Sequence, residues 1–283
     1  MDDVNNVLSG LMKKAEFNNP RNPEDYVDPD TGLLICGKCC TPKETRIELF
    51  NKEMTVRCIC KCQREKRERE AVEAEERRRR EEIAINRQNC FASSLRYRDF
   101  TFDKDDGSDK TAGKVSRAYA ERFSEMRRDG KGLLFLGPTG TGKTYYACAI
   151  ANFLLDKGYK VRVSTFARVA EDLQGSFDRS ETMDELMRYD LLVLDDLGAE
   201  RNTSYMDEIV YSVINERCAA GKPMIVTTNL TADELNKSDD ITRQRIFSRL
   251  SGACIPVVIA GSDRRKEQMT NNFAVDMSEL LGG

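Results

Sequence analysis

The residues with the clearest chemistry are eight in a row, GPTGTGKT at Gly137 to Thr144. The glycines let the backbone fold tightly enough for successive N–H groups to point at phosphate oxygens, and a helix starting there adds the field of its N-terminus. Lys143 is then placed to reach the β- and γ-phosphates of a nucleoside triphosphate, and the Thr144 hydroxyl to ligate Mg²⁺. The expected phosphate-binding set is Gly137, Pro138, Thr139, Gly140, Thr141, Gly142, Lys143 and Thr144, with the adjoining Tyr145. A second motif, LLVLDDLG, ends four apolar residues on two acids. A buried strand of that kind delivers carboxylates to the crevice where α/β folds bind ligands. Asp195 is expected to hold the Mg²⁺ shell and Asp196 to polarise the attacking water. The run MIVTT ends at Asn229, whose amide is placed to orient that water. Downstream, RQRIFSRLSG puts Arg245 and Arg249 one helical turn apart on one face, a spacing equally suited to solvated arginines and to catalytic ones.

A separate constellation lies near the N-terminus. Of ten cysteines, Cys36, Cys39, Cys40, Cys58, Cys60 and Cys62 are clustered, and the chain contains no histidine. Any zinc site is therefore built from thiolates, and histidine-dependent bases are excluded. CGKC supplies Cys36 and Cys39 as a Cys-x-x-Cys knuckle, and CICKC supplies the second pair. Alternation along a strand places Cys58, Cys60 and Cys62 on one face, so spacing leaves open which two bind. A four-thiolate site is closed and structural. Cys40, adjacent to Cys39, is poorly aimed at the same ion.

These groups need elements to position them. Apolar runs predict strands at Gly132 to Leu136, Val161 to Thr165, Leu191 to Leu194, Met224 to Thr228 and Ile255 to Ile259. Helices fit between them at Lys143 to Lys157, Phe166 to Phe177, Ser204 to Ala220 and Arg243 to Leu250, the alternation of an α/β fold with a parallel five-stranded sheet. Ahead of these, Gln63 to Gln88 is almost all Arg, Glu, Lys and Ala, with Glu to Arg pairs four apart. It predicts one long solvated helix without a coiled-coil seam. ETRIELF and EMTVRCIC suggest a hairpin, and a short helix is expected near Val4 to Phe17. The expected organisation is a zinc-binding domain over 1–62, a charged helical linker over 63–89 and a nucleotide-binding domain over 90–283.

Composition restricts the class. With 283 residues, 33% of them charged, and no apolar run of membrane-spanning length, the chain reads as soluble. Its start, MDDVNNVLSGLMKK, lacks the order of a secretory signal, so a cytoplasmic location is expected. A net charge of -3 argues against a wholly basic nucleic-acid binder, but a local basic lining remains compatible with it. A metabolic kinase would need a small-molecule acceptor or lid, and neither is recognisable.

From about Ser93 to Lys266 the chain resembles the AAA+ ATPases, and within them the helicase-loader group of DnaC, DnaI and phage counterparts, together with the related IstB transposition helper. GPTGTGKT, LLVLDDLGAE and IVTTNL look like the Walker A, Walker B and sensor 1 elements, and LRYRDFTFD like the segment that leads into the first core strand. FSRL resembles the arginine-finger segment, which implies that Arg249 completes a neighbouring subunit's site, with Arg245 as the rival. GSDRR resembles the GxxxR ending, which implies a sensor 2 role for Arg265, with Arg264 as the competitor. Little chain follows, so the helical lid of many AAA+ proteins is expected to be missing. The cysteine cluster resembles the zinc-binding N-terminal region of such loaders. That likeness favours Cys60 and Cys62, which abut the following helix, as partners of Cys36 and Cys39, and Cys58 remains a rival. The resemblance implies ATP/ADP, Mg²⁺ and Zn²⁺ as cofactors and ATP hydrolysis as the activity. As partners it implies a hexameric DnaB-type replicative helicase, single-stranded DNA and further copies of the chain in a hexamer or open spiral, with no membrane. An IstB-like, ATP-dependent role in DNA transposition is the alternative.

Overall fold

The computed structural model describes residues 21–49, 52–91, 94–176, 178–198, 204–231, 233–234, 241–261 and 263–264. The helix expected near Val4 to Phe17 lies outside them. The chain divides into two compact units, Met1–Arg79 and Arg80–Gly283.

In the first unit, β1 (Tyr26–Val27) pairs antiparallel with β2 (Leu34–Ile35), and β3 (Glu44–Leu49) with β4 (Lys52–Arg57). The second pair is the expected hairpin. The first was not anticipated, because two-residue strands carry no alternation to read. Two-stranded pairs are marginal in water by themselves. Here a buried ion pair ties them in: Lys43 Nζ lies 2.7 Å from Asp25 Oδ2, and both side chains are 1% exposed. Asp25 also accepts from the backbone N–H of Asn22 at 2.7 Å and of Gly37 at 3.3 Å. These extra donors are what make burial of the carboxylate tolerable. They also fix the CGKC turn. Helix α1 (Lys61–Cys90) is rich in strong helix formers and is exposed almost throughout, with ion pairs Lys61–Glu65 and Lys66–Glu70 along it.

The second unit is built on a five-stranded parallel sheet of β5 (Gly132–Leu136), β6 (Val161–Thr165), β7 (Leu191–Leu197), β8 (Met224–Thr228) and β9 (Cys254–Val258), in the order β6-β7-β8-β5-β9. Alternate residues of each apolar run go to opposite faces. Leu133, Phe135, Leu191 and Val193 pack with α2 (Lys110–Glu121) and α4 (Lys143–Asp156). Leu134, Leu136, Leu192 and Leu194 pack with α5 (Phe166–Gly175), α6 (Arg179–Arg188), α7 (Ser204–Ala219) and α8 (Ile241–Ala253). Both faces are covered, which is why the strands read as continuous apolar runs.

Three helices were not anticipated: α2, α6 and the short α3 (Phe123–Arg128). α3 and α6 are mostly polar, α2 buries a face of mainly small residues (Ala112, Ser116, Tyr119 and Ala120), and both α2 and α6 start on aspartate caps. Asp109 accepts from the N–H groups of Thr111 and Ala112, and Asp178 from that of Ser180. Beneath the sheet, Arg217 of α7 is fully buried. Its Nη1 donates to the Leu186 and Tyr189 carbonyls at 2.9 and 3.1 Å, and its Nη2 to the Pro223 carbonyl at 2.5 Å. It thereby joins the end of α6 to the start of β8, at the expense of a pKa that burial draws down to about 10.

Candidate nucleotide and metal sites

The C-terminal tips of β5, β7 and β8 meet at a cavity of about 650 Å³. Gly140 and Gly142 lie in the tight loop between β5 and α4. Gly140 adopts φ 82°, and a Cβ there would collide with the Asp263 carboxylate, so this position accepts no side chain. Lys143 is nearly buried. Its Nζ donates to the carbonyls of Gly137 and Pro138 at 2.8 and 2.7 Å, and to Asn229 Oδ1 at 2.7 Å. The lysine of the first motif and the asparagine at the tip of β8 are thus in direct contact, although 86 residues separate them.

Asp195 is 2% exposed and carries a small network. Thr144 Oγ1 donates to its two oxygens at 2.9 and 3.2 Å, and Thr227 Oγ1 donates at 2.7 Å. Thr227 in turn accepts the Asp196 N–H at 2.9 Å. Burial raises the Asp195 pKa, against the lowering effect of the two hydroxyls, and the neighbouring charge of Asp196 adds to the rise. A divalent cation beside Thr144 and Asp195 would relieve that strain, and the donor set of a hydroxyl and a carboxylate suits Mg²⁺. Asp196 sits at φ 59°, in the left-handed region. At that point β7 bulges against β8: Leu194 pairs with Val226 and Leu197 with Thr228. The bulge turns Asp196 into the cavity while Asp195 stays buried, and it carries β7 three residues beyond its expected end. A non-glycine residue held there costs about 1–3 kcal/mol, strain of the kind that clusters at functional sites.

Two polar residues position the opposite wall: Asn152, which the sequence did not single out, and Tyr145, expected there only as a neighbour of the phosphate-binding loop. Asn152, 3% exposed on α4, donates from Nδ2 to the carbonyls of Tyr97 and Phe100 at 3.0 and 2.9 Å. Tyr145 Oη donates to the Thr101 carbonyl at 2.6 Å. Together they pin the lead-in segment, with its 3₁₀ turns at Leu95–Asp99 and Phe102–Lys104, onto α4. The rings of Tyr97, Phe100 and Tyr145 form a contiguous series along that wall, with centroids 5.7 and 5.2 Å apart. A single asparagine within the apolar stretch ACAIANFLL was the available signal.

Arg245 and Arg249 are exposed on α8, while Ile246 and Leu250 of the same helix are buried. Among the described residues neither guanidinium has a hydrogen-bond or ion-pair partner, whereas Arg243 on the same helix lies 3.6 Å from the buried Asp207. Arg265 lies outside the described residues. Arg264 is described and lines the cavity.

In the first unit the sulfurs of Cys36, Cys39, Cys60 and Cys62 all lie within 4.8 Å of one another. Cys60 and Cys62 are 3.5 Å apart, and Cys36 and Cys62 3.8 Å. A tetrahedral zinc with bonds of about 2.3 Å sets its sulfurs about 3.8 Å apart, so the residues present fit the ion. Cys58 points elsewhere, toward the Pro42 carbonyl at 3.5 Å. The crowded thiols are electrostatically uneven. Hydrogen bonds from Cys60 and Cys39 push Cys62 up to about 12, while at Cys39 the lowering bonds from Thr41 and Cys62 outweigh burial and bring it to about 6.

A family model described as IstB-like ATP binding protein matches residues 64–272, well over half of the chain. The chain belongs to this family. The family match begins after the clustered cysteines. Among curated relatives, this IstB-like chain is 29% identical over 150 residues to the replicative helicase loader DnaI of Bacillus subtilis, covering 48% of each protein. It is 30% identical over 142 residues to the replicative helicase loader DnaC of Escherichia coli, covering 48% of the chain and 55% of DnaC. The chain therefore spans about half the length of the curated relatives it matches. A crystal structure of the DnaC helicase loader superposes with a TM-score of 0.52 at 25% identity, covering 59% of this chain and all of that one. Among the described residues no helix is long and apolar enough to cross a membrane.

Proposed function

We propose that this chain is an ATP-hydrolysing loader of a replicative DNA helicase. The observation that carries the reading is the meeting of Lys143, Thr144, Asp196 and Asn229 at one cavity, with Asp195 buried behind it and bonded to Thr144, in a chain similar to two helicase loaders. In this reading the backbone N–H groups of the Gly137 to Thr144 loop and the Lys143 ammonium bind the phosphates, exchanging the carbonyl contacts of Lys143 for phosphate oxygens. Tyr97 and Phe100 give the base an aromatic wall. Thr144 and Asp195 would hold Mg²⁺, which supplies charge neutralisation on the phosphates when bound. Asp196 polarises the attacking water and Asn229 orients it. Arg249, exposed and without a partner among the described residues, suits a finger offered to the next subunit of a ring or open spiral.

The domain reading is a zinc-bearing module over 1–62, a helical linker over 63–89 and the ATPase over 90–283. Cys36, Cys39, Cys60 and Cys62 hold a structural zinc, and the module grips the helicase while the ATPase engages single-stranded DNA. The match to a family of IstB-like ATP binding proteins leaves room for a second reading, an IstB-like helper of DNA transposition. Co-purification separates them. A loader retains a hexameric DnaB-type helicase and shows ATP turnover stimulated by single-stranded DNA. Retention of a transposase without helicase overturns the loader reading.

A further inference from the structure

Arg264 follows the last strand and returns to the phosphate-binding loop. Its N–H donates to the Gly140 carbonyl at 3.1 Å. A Cβ built on Gly142, which adopts φ 104°, would lie 3.2 Å from the guanidinium carbon and from Nη1. The cation also covers the Tyr146 ring, 5.9 Å from its centroid. Its ion-pair partner among the described residues is Asp106, whose Oδ1 lies 3.4 Å from Nη1, with side chains 20% and 59% exposed for arginine and aspartate. Asp106 belongs to the DDGSD turn ahead of α2, where it also accepts the Ser108 N–H at 2.9 Å. Asp106 and Arg264 line the same cavity as Lys143, Thr144 and Asp196. A carboxylate on the rim of a polyphosphate site is unfavourable in itself, so its position beside this arginine calls for a reason.

We propose that Asp106 is a counter-ion displaced by the nucleotide: it holds Arg264 over the phosphate-binding loop, and the phosphates take its place as the arginine's partner. The inference rests on the nucleotide-site reading above. The exchange runs in that direction because a long, half-exposed ion pair contributes little. Phosphate oxygens offer the planar guanidinium more charge and a bidentate fit. Asp106 thus sets nucleotide affinity through Arg264.

The test is a double-mutant cycle on the full chain, with ATP and ADP dissociation constants measured for wild type, Asp106→Asn, Arg264→Ala and the double variant. Asp106→Asn should tighten ATP binding about two- to fivefold, the strength of an exposed ion pair, and clearly less in the Arg264→Ala background. Asp106→Glu, which keeps the charge, should bind nearly as wild type. Equal tightening in both backgrounds, or weaker binding by Asp106→Asn, overturns the counter-ion role. Lys143→Ala separates the two levels. If it binds ATP normally, the nucleotide-site reading fails and this proposal with it. If it loses ATP while Asp106 and Arg264 show no coupling, the counter-ion role alone fails. Thermal melts accompany each variant, and Arg264→Gln replaces Arg264→Ala should the latter unfold.

Discussion

Replacing Asn152 with leucine tests how the nucleotide cavity keeps its far wall. The carboxamide is 3% exposed and shared between the Tyr97 and Phe100 carbonyls at 3.0 and 2.9 Å, with a third contact to the Cys148 carbonyl at 3.2 Å. Leucine has nearly the same shape and no donor. Cys148 lies in mid-helix and keeps its backbone partner. In the lead-in segment the Tyr97 carbonyl still accepts the Phe100 N–H at 3.3 Å, whereas the Phe100 carbonyl loses the donor that Asn152 supplies. Leaving the Phe100 carbonyl without that donor costs about 1–3 kcal/mol, and the second bond lost at Tyr97 adds about 0.5–1.5 kcal/mol. Added apolar burial returns about 1 kcal/mol, so Asn152→Leu should be less stable by about 1–3 kcal/mol. Urea unfolding reads this as a lower midpoint at unchanged slope. ATP affinity should fall as well, because Tyr97 and Phe100 lose their anchor, while Lys143 and Asp195 are untouched. A variant with wild-type midpoint and wild-type ATP affinity would refute the reasoning.

Arg217→Met should destabilise the chain by about 2–5 kcal/mol, since two buried carbonyls and one partly buried one lose a charged donor; thermal or urea unfolding gives the value, and a neutral result contradicts it. The zinc-bearing reading predicts that Cys36→Ser loses bound zinc by metal analysis while Cys58→Ser retains it, whereas full metal content in Cys36→Ser contradicts the four-thiolate site. Arg249→Ala should bind ATP yet hydrolyse it about 10³-fold more slowly if the arginine serves a neighbour. Mixing it with Lys143→Ala should then restore turnover with rising protein concentration, and rescue by Arg245→Ala mixtures instead places the finger one turn earlier.

The central strands were legible because burial on both faces leaves uninterrupted apolar runs, and GLLFL, VRVST and MIVTT are strands over their expected spans. The chemical residues at their tips follow from that, since a parallel sheet carries its strand ends to one edge. What escaped was set by contacts distant in sequence. The bulge that turns Asp196 outward depends on pairing with Val226 and Thr228. The roles of Asn152 and Asp106 depend on segments 52 and 158 residues away. Helix α6 was missed because a cap and tertiary packing specify it, and α2 because its buried face, Ala112, Ser116, Tyr119 and Ala120, is helically spaced but built mostly of small residues that signal weakly. The choice of Cys60 and Cys62 over Cys58 could not come from alternation alone. It emerges only where α1 begins and turns Cys62 back toward Cys36.

The most direct test of the nucleotide site is steady-state ATP hydrolysis by Asp196→Asn beside an equilibrium measurement of its ATP binding. The amide keeps the size of the side chain and leaves Asp195, Thr144 and Lys143 in place. It removes the one carboxylate that the bulge of β7 aims into the cavity. The account predicts ATP affinity close to wild type and turnover reduced by about 10²-fold or more, the usual contribution of a positioned general base. Turnover equal to wild type would contradict it and move the catalytic carboxylate elsewhere.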